Sequence, residues 1–333
     1  MTVQERTTLD AADVVEEAET ALADTARVRE EIGRVIFGQE DVVERTLVTI
    51  LSGGHGLLVG VPGLAKTLLV ETLGTVLGLD ANRVQFTPDL MPGDILGTEV
   101  LEQGEDGKRS FRFVAGPVFA QLLMADEINR ASPRTQSALL QSMQEYHVTV
   151  AGHRHDLPRP FHVLATQNPL EQEGTYPLPE AQLDRFLMQI DVDYPELEAE
   201  RRILLATTGA TTDRAEPVLT SDRLEAIQSL VRRMPVPDSV VEAILNLVRS
   251  VRPGTADEET ERQIAWGPGP RASQSLMLCV RARALVQGRL APSIDDVKAL
   301  AEPILQHRMA LAFAARAEGL SVRDVIARNA DRV

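Results

Sequence analysis

The segment GVPGLAKT, residues 60–67, restricts the possible folds of this chain more than any other part of it. An apolar run, GLLVG, leads into the segment, and the residues after it have the spacing of an amphipathic helix. A glycine-rich turn between a strand and a helix points successive backbone N–H groups into one concavity, where the helix dipole favours an anion. The segment therefore predicts a phosphate-binding loop within an α/β fold.

The residues of this loop also predict which nucleotide groups they contact. In the pattern G-x-x-x-x-G-K-[ST], the lysine reaches the β- and γ-phosphates and the hydroxyl residue binds Mg²⁺; here these are Lys66 and Thr67. Ala65 stands where the pattern has glycine, but its methyl group is small enough for a phosphate to approach. The alternative is an ordinary glycine turn between core elements. The predicted ATP-binding residues of the loop are Gly60, Val61, Pro62, Gly63, Leu64, Ala65, Lys66 and Thr67.

Composition excludes several classes of protein. The chain has 49 acidic and 34 basic residues, a formal charge of −15, which argues against a protein that coats nucleic acid. A single cysteine, Cys279, excludes an intramolecular disulfide and a multi-cysteine zinc site. The sequence has no apolar run long enough to span a membrane, and its first residues are acidic rather than signal-like. We therefore expect a cytoplasmic protein without a membrane span.

The pattern of apolar residues divides the chain into three parts. Residues 1–35 predict an N-terminal surface helix, and residues 196–333 predict an all-helical domain. Between them, residues 36–195 alternate short apolar strands with helices, which is typical of a parallel sheet covered on both faces. The predicted strands lie near residues 57–60, 84–86, 120–126, 161–166 and 187–192.

Polar residues follow two of these strands. Asp126 ends an apolar strand and is a candidate to hold Mg²⁺, and Glu127 is a candidate general base for the attacking water. Asn168 ends another strand, where its amide could bind the water and the γ-phosphate. Asn168 also precedes a proline, so a simple turn is an equal alternative. A solvated acidic turn is the alternative for the DE pair.

Two stretches are long for connections between core elements. Residues 86–118 predict a loop and a hairpin turning at GEDGK, and residues 147–160 predict a second hairpin. The second stretch contains His147, His153 and His155. Their spacing does not match a zinc site, so we expect solvated loop histidines.

Taken together, the motifs of the chain resemble those of the AAA+ ATPases, and among them the MoxR family of the helix-2-insert branch. The resemblance covers about residues 35–325 and rests on FGQE, GVPGLAKT, QFTPDLMPGDILG, ADEINRA, ATQNP, EAQLDRF, GPGPRA and HRMALAF. Alanine before the P-loop lysine is common in MoxR-like sequences. The resemblance implies a five-stranded AAA+ core and a C-terminal helical lid.

The resemblance also implies roles for individual residues. Gly38 and Gln39 match the segment that packs beside adenine, and Asn168 matches the first sensor. Arg185 matches the arginine finger that enters a neighbouring subunit's site, and Arg271 matches the second sensor, which touches the γ-phosphate from the lid. The alternatives are an ordinary ion pair of Arg185 with Asp184 or Glu180, and a solvated Arg271 in the first turn of a helix.

The function implied by the resemblance is a Mg²⁺-dependent ATPase. Such a protein would form a ring, expected to be a hexamer, and use ATP hydrolysis for chaperone-like remodelling, assembly or cofactor maturation of a protein client. A partner with a von Willebrand factor A domain is also implied. The alternatives are a magnesium-chelatase-like motor subunit, a nucleic-acid motor and a catalytically silent nucleotide-binding scaffold. The scaffold is disfavoured because Lys66, Asp126, Glu127 and Arg185 are all present.

Overall fold

The computed structural model describes residues 11–103, 109–171, 174–208 and 214–333 of the chain. Its N-terminal and central part contains α1 (Ala11–Gly33), α2 (Glu40–Leu51), β1 (Gly56–Val59), α3 (Lys66–Val76), β2 (Ala81–Gln85), α4 (Pro92–Leu96), β3 (Gly97–Gln103), β4 (Arg109–Ala115), β5 (Leu122–Asp126), α5 (Pro133–Glu145), β6 (His147–Val150), β7 (His153–Asp156), β8 (His162–Gln167), α6 (Glu180–Leu183) and β9 (Met188–Asp191). The C-terminal part contains α7 (Leu197–Thr208), α8 (Ser221–Arg233), α9 (Asp238–Ser250), α10 (Glu258–Gln263), β10 (Ile264–Trp266), α11 (Pro270–Val286), α12 (Ile294–Leu305), β11 (Ala310–Leu311), α13 (Phe313–Ala317) and α14 (Val322–Ala330).

Five strands form the central sheet in the order β2-β5-β8-β1-β9, and every pair of neighbours is parallel. The predicted α/β fold with a five-stranded parallel sheet is confirmed. Because the strands are parallel, all of their carboxyl ends meet at one edge of the sheet, and all of their amino ends meet at the other. The apolar residues that predicted β1, β5 and β8 are buried on both faces, as a sheet with two covered faces requires.

Two hydrophobic clusters fill the space on either side of this sheet. One lies among the strands, α5 and the inserted segments. The other runs without interruption from α1, α2 and α3 into α8, α9, α11 and α12. The helical C-terminal part therefore packs directly on one face of the α/β core. None of the helices in the described ranges is long and apolar enough to cross a bilayer.

The inserted segments form two antiparallel hairpins. β3 pairs with β4, from Gly97 opposite Ala115 to Gln103 opposite Arg109, and β6 pairs with β7. The turn predicted at residues 104–108 lies outside the described residues. All three histidines of the second segment lie on the β6–β7 hairpin, and His155 stacks on Phe113 with ring centroids 3.8 Å apart.

The C-terminal part is helical, as predicted, with one addition. β10 and β11 form a short antiparallel ribbon that the sequence did not predict, since strands of two or three residues leave no periodic pattern. The boundaries at residues 35 and 195 stay predictions. They separate segments that share one core, because α1 contacts both α3 and α11, and α2 packs along α11.

Candidate active site

The predicted phosphate-binding loop connects β1 at the carboxyl edge of the sheet to α3. Ala65 has φ 56° and ψ 20°, the left-handed conformation that explains why this position is usually glycine. Gly60 lies so close to the strand beside it that a Cβ there would be 2.5 Å from the carbonyl oxygen of Val192. The backbone of the loop is thus fixed by packing against the end of β9.

Lys66, the first residue of α3, points its side chain back onto the loop. Its Nζ atom donates hydrogen bonds to the carbonyl oxygens of Gly60 at 2.8 Å and Val61 at 2.7 Å. Burial lowers the pKa of Lys66 from its ordinary value, while the negative charges of Asp126 and Glu127 partly oppose this shift. Lys66 is therefore held at the position from which the P-loop pattern predicts phosphate contact.

One threonine of β8 holds both acidic residues at the end of β5. The hydroxyl of Thr166 donates to Oδ1 of Asp126 at 2.6 Å and accepts from the backbone N–H of Glu127 at 2.8 Å. Glu127 itself has φ 55°, a left-handed conformation that turns its side chain away from the strand direction. The side chains of Asp126 and Glu127 therefore have different partners, which is consistent with the separate roles predicted for them.

Two residues of the edge strand β2 bind the same acids. Gln85 donates from Nε2 to Oε2 of Glu127 at 2.7 Å, and Arg83 forms an ion pair with Oδ2 of Asp126 at 2.6 Å. Arg83 also donates to the side-chain oxygen of Gln85 at 3.1 Å. The register that places Gln85 opposite Asp126 brings these groups together.

A cavity of about 140 Å³ lies between the loop and the strand tips. Its lining residues are Pro62, Gly63, Lys66, Asp126, Glu127, Thr166 and Asn168. Asn168 is buried, and its side-chain oxygen accepts a hydrogen bond from the N–H of Leu170 at 3.1 Å, so it forms the predicted turn and still faces the cavity. Carboxylate and hydroxyl oxygens are the ligands that Mg²⁺ prefers, so this donor set fits the predicted cation. Thr67 does not line the cavity and lies half-buried in the first turn of α3.

Gly38 and Gln39 line a second and larger cavity of about 660 Å³. The cavity also contains Asp191 at the carboxyl end of β9 and Arg323 of α14. Gln39 donates from Nε2 to the carbonyl oxygen of Leu64 at 3.3 Å, which ties this segment to the P-loop. The position predicted to contact adenine is therefore next to the phosphate-binding loop.

The two predicted arginines lie at the opposite edge of the sheet. Arg185 precedes β9, and the N–H of Leu187 bonds to the carbonyl oxygen of His55, which precedes β1. A four-residue strand, as β1 and β9 each are, is roughly 13 Å long. Arg185 is therefore separated from the P-loop of its own chain by the length of the sheet.

The second of these arginines, Arg271, lies beside Asp184. Its Nη1 atom is 3.0 Å from Oδ2 of Asp184, and it lines the same cavity as Arg185, about 260 Å³ in volume. The prediction that Arg271 touches a γ-phosphate from the lid stays a prediction. At this position Arg271 is separated from the P-loop of its own chain by the length of the sheet, because α11 packs along α2 with its N-terminus beside Asp184.

The carboxylate of Asp184 is occupied by Arg271 and Arg308, not by Arg185. In the described part of the chain, Arg185 has no ion-pair partner, so the alternative of an ordinary ion pair with a nearby acid does not hold.

Sequence reasoning missed Arg83, Gln85 and Thr166, which bond to Asp126 and Glu127, and Arg130, whose Nη1 is 3.4 Å from Oε2 of Glu127. Thr166 lies in the ATQNP motif, and a threonine within an apolar strand is a detectable signal. Arg83 and Gln85 are two residues apart along β2 and so lie on the same face of it. They reach Asp126 and Glu127 because β2 is next to β5 in the sheet. That neighbour relation is not contained in the local sequence.

Comparisons with known proteins agree with this geometry. Residues 55–188 match the ATPase family associated with various cellular activities (AAA), and residues 256–329 match the AAA lid domain. The chain is 44% identical to the chaperone MoxR1 of Mycobacterium tuberculosis over 300 residues, covering 90% of this chain and 78% of that protein. It is 32% identical to the protein MoxR of Methylorubrum extorquens, covering 86% and 87% of the two chains. A crystal structure from Cytophaga hutchinsonii superimposes with a TM-score of 0.89 at 38% identity, covering 97% of this chain and 98% of that one.

Proposed function

Because the chain belongs to the MoxR family of AAA ATPases, whose members bind and hydrolyse ATP, we propose that it uses hydrolysis for chaperone-like remodelling, assembly or cofactor maturation of partner proteins. The hydrolytic part of this proposal is supported by the cavity in which Lys66, Asp126, Glu127 and Asn168 meet. The chaperone part is supported by the name of the relative MoxR1, which is described as a chaperone.

The predicted site residues in and beside the cavity have proposed roles. Lys66 and the loop N–H groups hold the β- and γ-phosphates, while Thr67 and Asp126 hold Mg²⁺, which would neutralise phosphate charge. Glu127, held by Gln85, orients and deprotonates the attacking water. Asn168 donates to this water or to the γ-phosphate through its side-chain N–H₂ group.

Two substitutions separate binding from hydrolysis. Lys66→Ala should abolish ATP binding in calorimetry, whereas Glu127→Gln should bind ATP normally and hydrolyse it about 10²- to 10⁴-fold more slowly, the usual contribution of a general base. Asp156→Asn, which changes an exposed acid of the β6–β7 hairpin, serves as the control and should keep wild-type turnover. Normal turnover by Glu127→Gln would refute its role as the base.

The position of Arg185 carries the proposal that the protein works as a ring, expected to be a hexamer. Since Arg185 and Lys66 lie at opposite edges of one sheet, the finger can complete only the site of a neighbouring copy. Arg271 lines the same cavity as Arg185 and is proposed to act on that same neighbouring site. An arginine finger contributes roughly 10³- to 10⁵-fold to the rate, about 4 to 7 kcal/mol.

Mixed assemblies test this arrangement. Arg185→Ala copies keep an intact ATP site and Lys66→Ala copies keep an intact finger, so each variant alone should be inactive. When the two are co-expressed with different affinity tags and purified through both, interfaces between them should hydrolyse ATP. Absence of activity in assemblies that demonstrably contain both variants would exclude a finger acting between copies.

The β3–β4 hairpin supports a protein as the client. Leu101 and Phe111 are exposed on this hairpin, which extends from the ATPase core, and exposed apolar side chains of this kind mark protein contacts. The proposed partner with a von Willebrand factor A domain rests on resemblance to the family. We expect Glu127→Gln protein with ATP to retain such proteins in a pull-down from cell extract. If Lys66→Ala, incubated in the same way, retains the same proteins equally well, their binding does not depend on ATP.

A further inference from the structure

The carboxylate of Asp184, the residue next to the proposed finger, is held by two arginines of the helical lid. The Asp184 carboxylate accepts a hydrogen bond from Nε of Arg308 at 2.8 Å and another from Nη1 of Arg271 at 3.0 Å. Both arginines belong to the C-terminal part of the chain, whereas Asp184 and Arg185 belong to the ATPase core. The lid therefore contacts the finger segment through its immediate neighbour.

Arg308 also binds the backbone that follows the finger. Its guanidinium donates to the carbonyl oxygens of Phe186 at 2.7 Å and Leu187 at 3.2 Å. A further bond, from Nη1 to the carbonyl oxygen of Ile304 at 2.5 Å, anchors it to its own domain. Since a guanidinium has five N–H donors in one rigid plane, these bonds fix residues 184, 186 and 187 relative to one another. Arg185 lies between them.

Burial of the charged Arg308 side chain costs free energy that an apolar side chain filling the same space would not cost. Arg308 is only 2% exposed, and burial lowers its pKa, while the hydrogen bond and charge of Asp184 oppose that shift. A buried ion pair typically stabilises a fold no better than well-packed apolar side chains of the same volume. Its specific effect is on geometry, because Nε, Nη1 and Nη2 of Arg308 each have a partner on the finger segment, in Asp184, Leu187 and Phe186 respectively.

The two residues before Arg308 extend the contact along β9. His307 bonds through Nε2 to the carbonyl oxygen of Phe186 at 3.1 Å. Gln306 donates from Nε2 to the carbonyl oxygen of Gln189 at 3.3 Å and to Oδ2 of Asp191 at 2.9 Å. We call Gln306, His307 and Arg308 the finger clamp. It reaches from the amino edge, where Arg185 lies, to Asp191 in the larger cavity at the carboxyl edge.

We propose that Arg308 is a positioning residue for Arg185: through Asp184 and the carbonyl groups of Phe186 and Leu187, it sets where the finger enters the neighbouring copy's site. The proposal rests on the proposed action of Arg185 between copies. According to this proposal, Arg308 affects ATP hydrolysis in the neighbouring subunit by positioning Arg185. It does not affect nucleotide binding in its own subunit.

A purely structural role for Arg308 predicts a different result. If Arg308 only docked the lid, its loss would damage the ATP site and the finger of the same copy together. If Arg308 positions the finger, its loss leaves the ATP site of the same copy intact and displaces only Arg185, which acts on the neighbouring copy. Mixed assemblies separate the two effects.

The experiment uses Arg308→Met and the milder Arg308→Lys, which keeps the charge but loses the planar set of donors. Each variant alone should bind ATP within about twofold of wild type and show an unchanged KM. The kcat should fall by about 10²-fold for Arg308→Met, the size expected for a displacement of about 1 Å at a reacting group. Arg308→Lys should retain more turnover than Arg308→Met. Arg316→Met is the matched control, since Arg316 is a lid arginine whose guanidinium, among the described residues, bonds only the carbonyl oxygen of Leu311.

Doubly tagged assemblies of Arg308→Met with Lys66→Ala should regain activity, because the Lys66→Ala copies supply a correctly held finger. Assemblies of Arg185→Ala with Lys66→Ala are measured in parallel. If these regain activity and those with Arg308→Met do not, the positioning role is wrong while the finger stands. If neither pair regains activity, the finger proposal fails and the role of Arg308 fails with it. Should Arg308→Met not fold, Arg308→Lys is paired with Lys66→Ala and the same outcomes apply.

Discussion

At the scale of single residues, the binding groups of the site are already engaged by the protein itself. Lys66 bonds to loop carbonyl groups, Glu127 to Gln85, and Asp126 to Arg83. The last contact has a chemical consequence, because Arg83 is a cation that occupies an oxygen of the residue proposed to hold Mg²⁺. Arg83 and the metal ion would compete for one carboxylate.

Arg83→Gln should therefore lower the Mg²⁺ concentration required for half-maximal ATP binding. Arg83 is half-exposed, and an ion pair of this kind contributes about 0.2 to 1 kcal/mol, so the expected shift is about 1.4- to 5-fold. Calorimetric titration of ATP at a series of Mg²⁺ concentrations measures it without depending on turnover. Arg112→Gln, which removes an exposed ion pair with Glu102 on the β3–β4 hairpin, should leave the requirement unchanged. An unchanged or higher requirement in Arg83→Gln would contradict the competition.

Local sequence predicted the residues that come directly after an apolar strand, because that position places a polar side chain at the end of the sheet. The cavity contains Lys66, Asp126, Glu127 and Asn168, each of which could be placed at a strand end or in the loop from the apolar pattern alone. The location of Arg271 could not be predicted in this way, because it depends on how the lid packs. No local pattern encodes the orientation of one domain on another.

At the scale of elements, the amino edge of the central sheet contains a buried histidine pair. His55 donates from Nε2 to the carbonyl oxygen of Met143 at 3.1 Å, and its Nδ1 accepts from the N–H of Val163 at 2.9 Å. His162 bonds the carbonyl oxygen of Gly54 through Nδ1 at 2.8 Å. Burial lowers the pKa of His55 to about 3 and that of His162 to about 4. Both rings are neutral in the folded chain near neutral pH.

These depressed pKa values predict that stability falls in mild acid. Below about pH 6.5 these histidines are protonated in the unfolded chain but stay neutral in the folded chain. The free energy of unfolding therefore decreases as the pH falls from about 6.5 toward 4. Each histidine should contribute a slope of about 1.4 kcal/mol per pH unit in that window. Urea denaturation at pH 7.5, 6.0 and 5.0 measures the slope.

The matched variants for this prediction are His162→Gln and His153→Asn. Removing the buried ring should make the pH dependence shallower by the contribution of one group. His153 is exposed on the β6–β7 hairpin, so His153→Asn is the comparison for the loss of an imidazole outside the core. Equal slopes for wild type and His162→Gln would contradict the assignment.

Elements with long periodic patterns were predictable, and elements without them were not. The five strands of the sheet agree with the apolar runs to within three residues at each end, and the helix expected near the N-terminus is α1. The ribbon of β10 and β11 was missed because its strands contain three and two residues. Its pairing joins segments that are distant in sequence, which only the packing of the lid brings together.

At the scale of the whole molecule, the two groups of residues that we propose to form one shared site lie on opposite edges of the sheet. The carboxyl edge has the P-loop and the acidic residues, and the amino edge has Arg185 and Arg271. One hydrophobic cluster joins the lid to the core, so both edges belong to one packed body. The distance between the two groups is thus fixed by the fold.

Specific ATPase activity should consequently rise with protein concentration. Dilution separates the copies and removes the finger from each site, which should lower turnover by up to the roughly 10³-fold or more that a finger contributes. Activity measured across a dilution series, with the mass of the particles followed by light scattering, should change together with assembly. Arg185→Ala should stay at the low level at every concentration, and a monomer with full activity would contradict the arrangement.

The fixed separation between Lys66 and Arg185 also governs how many working centres an assembly contains. In an open row of copies, the ATP site of the subunit at one end faces solvent. At the other end, Arg185 and Arg271 have no neighbouring ATP site. The row therefore has one fewer complete centre than it has subunits. Closing the row into a circle makes the two numbers equal. A subunit that joins or leaves such a circle therefore alters catalysis at both of its borders, which makes opening and closing of the circle a natural point of control.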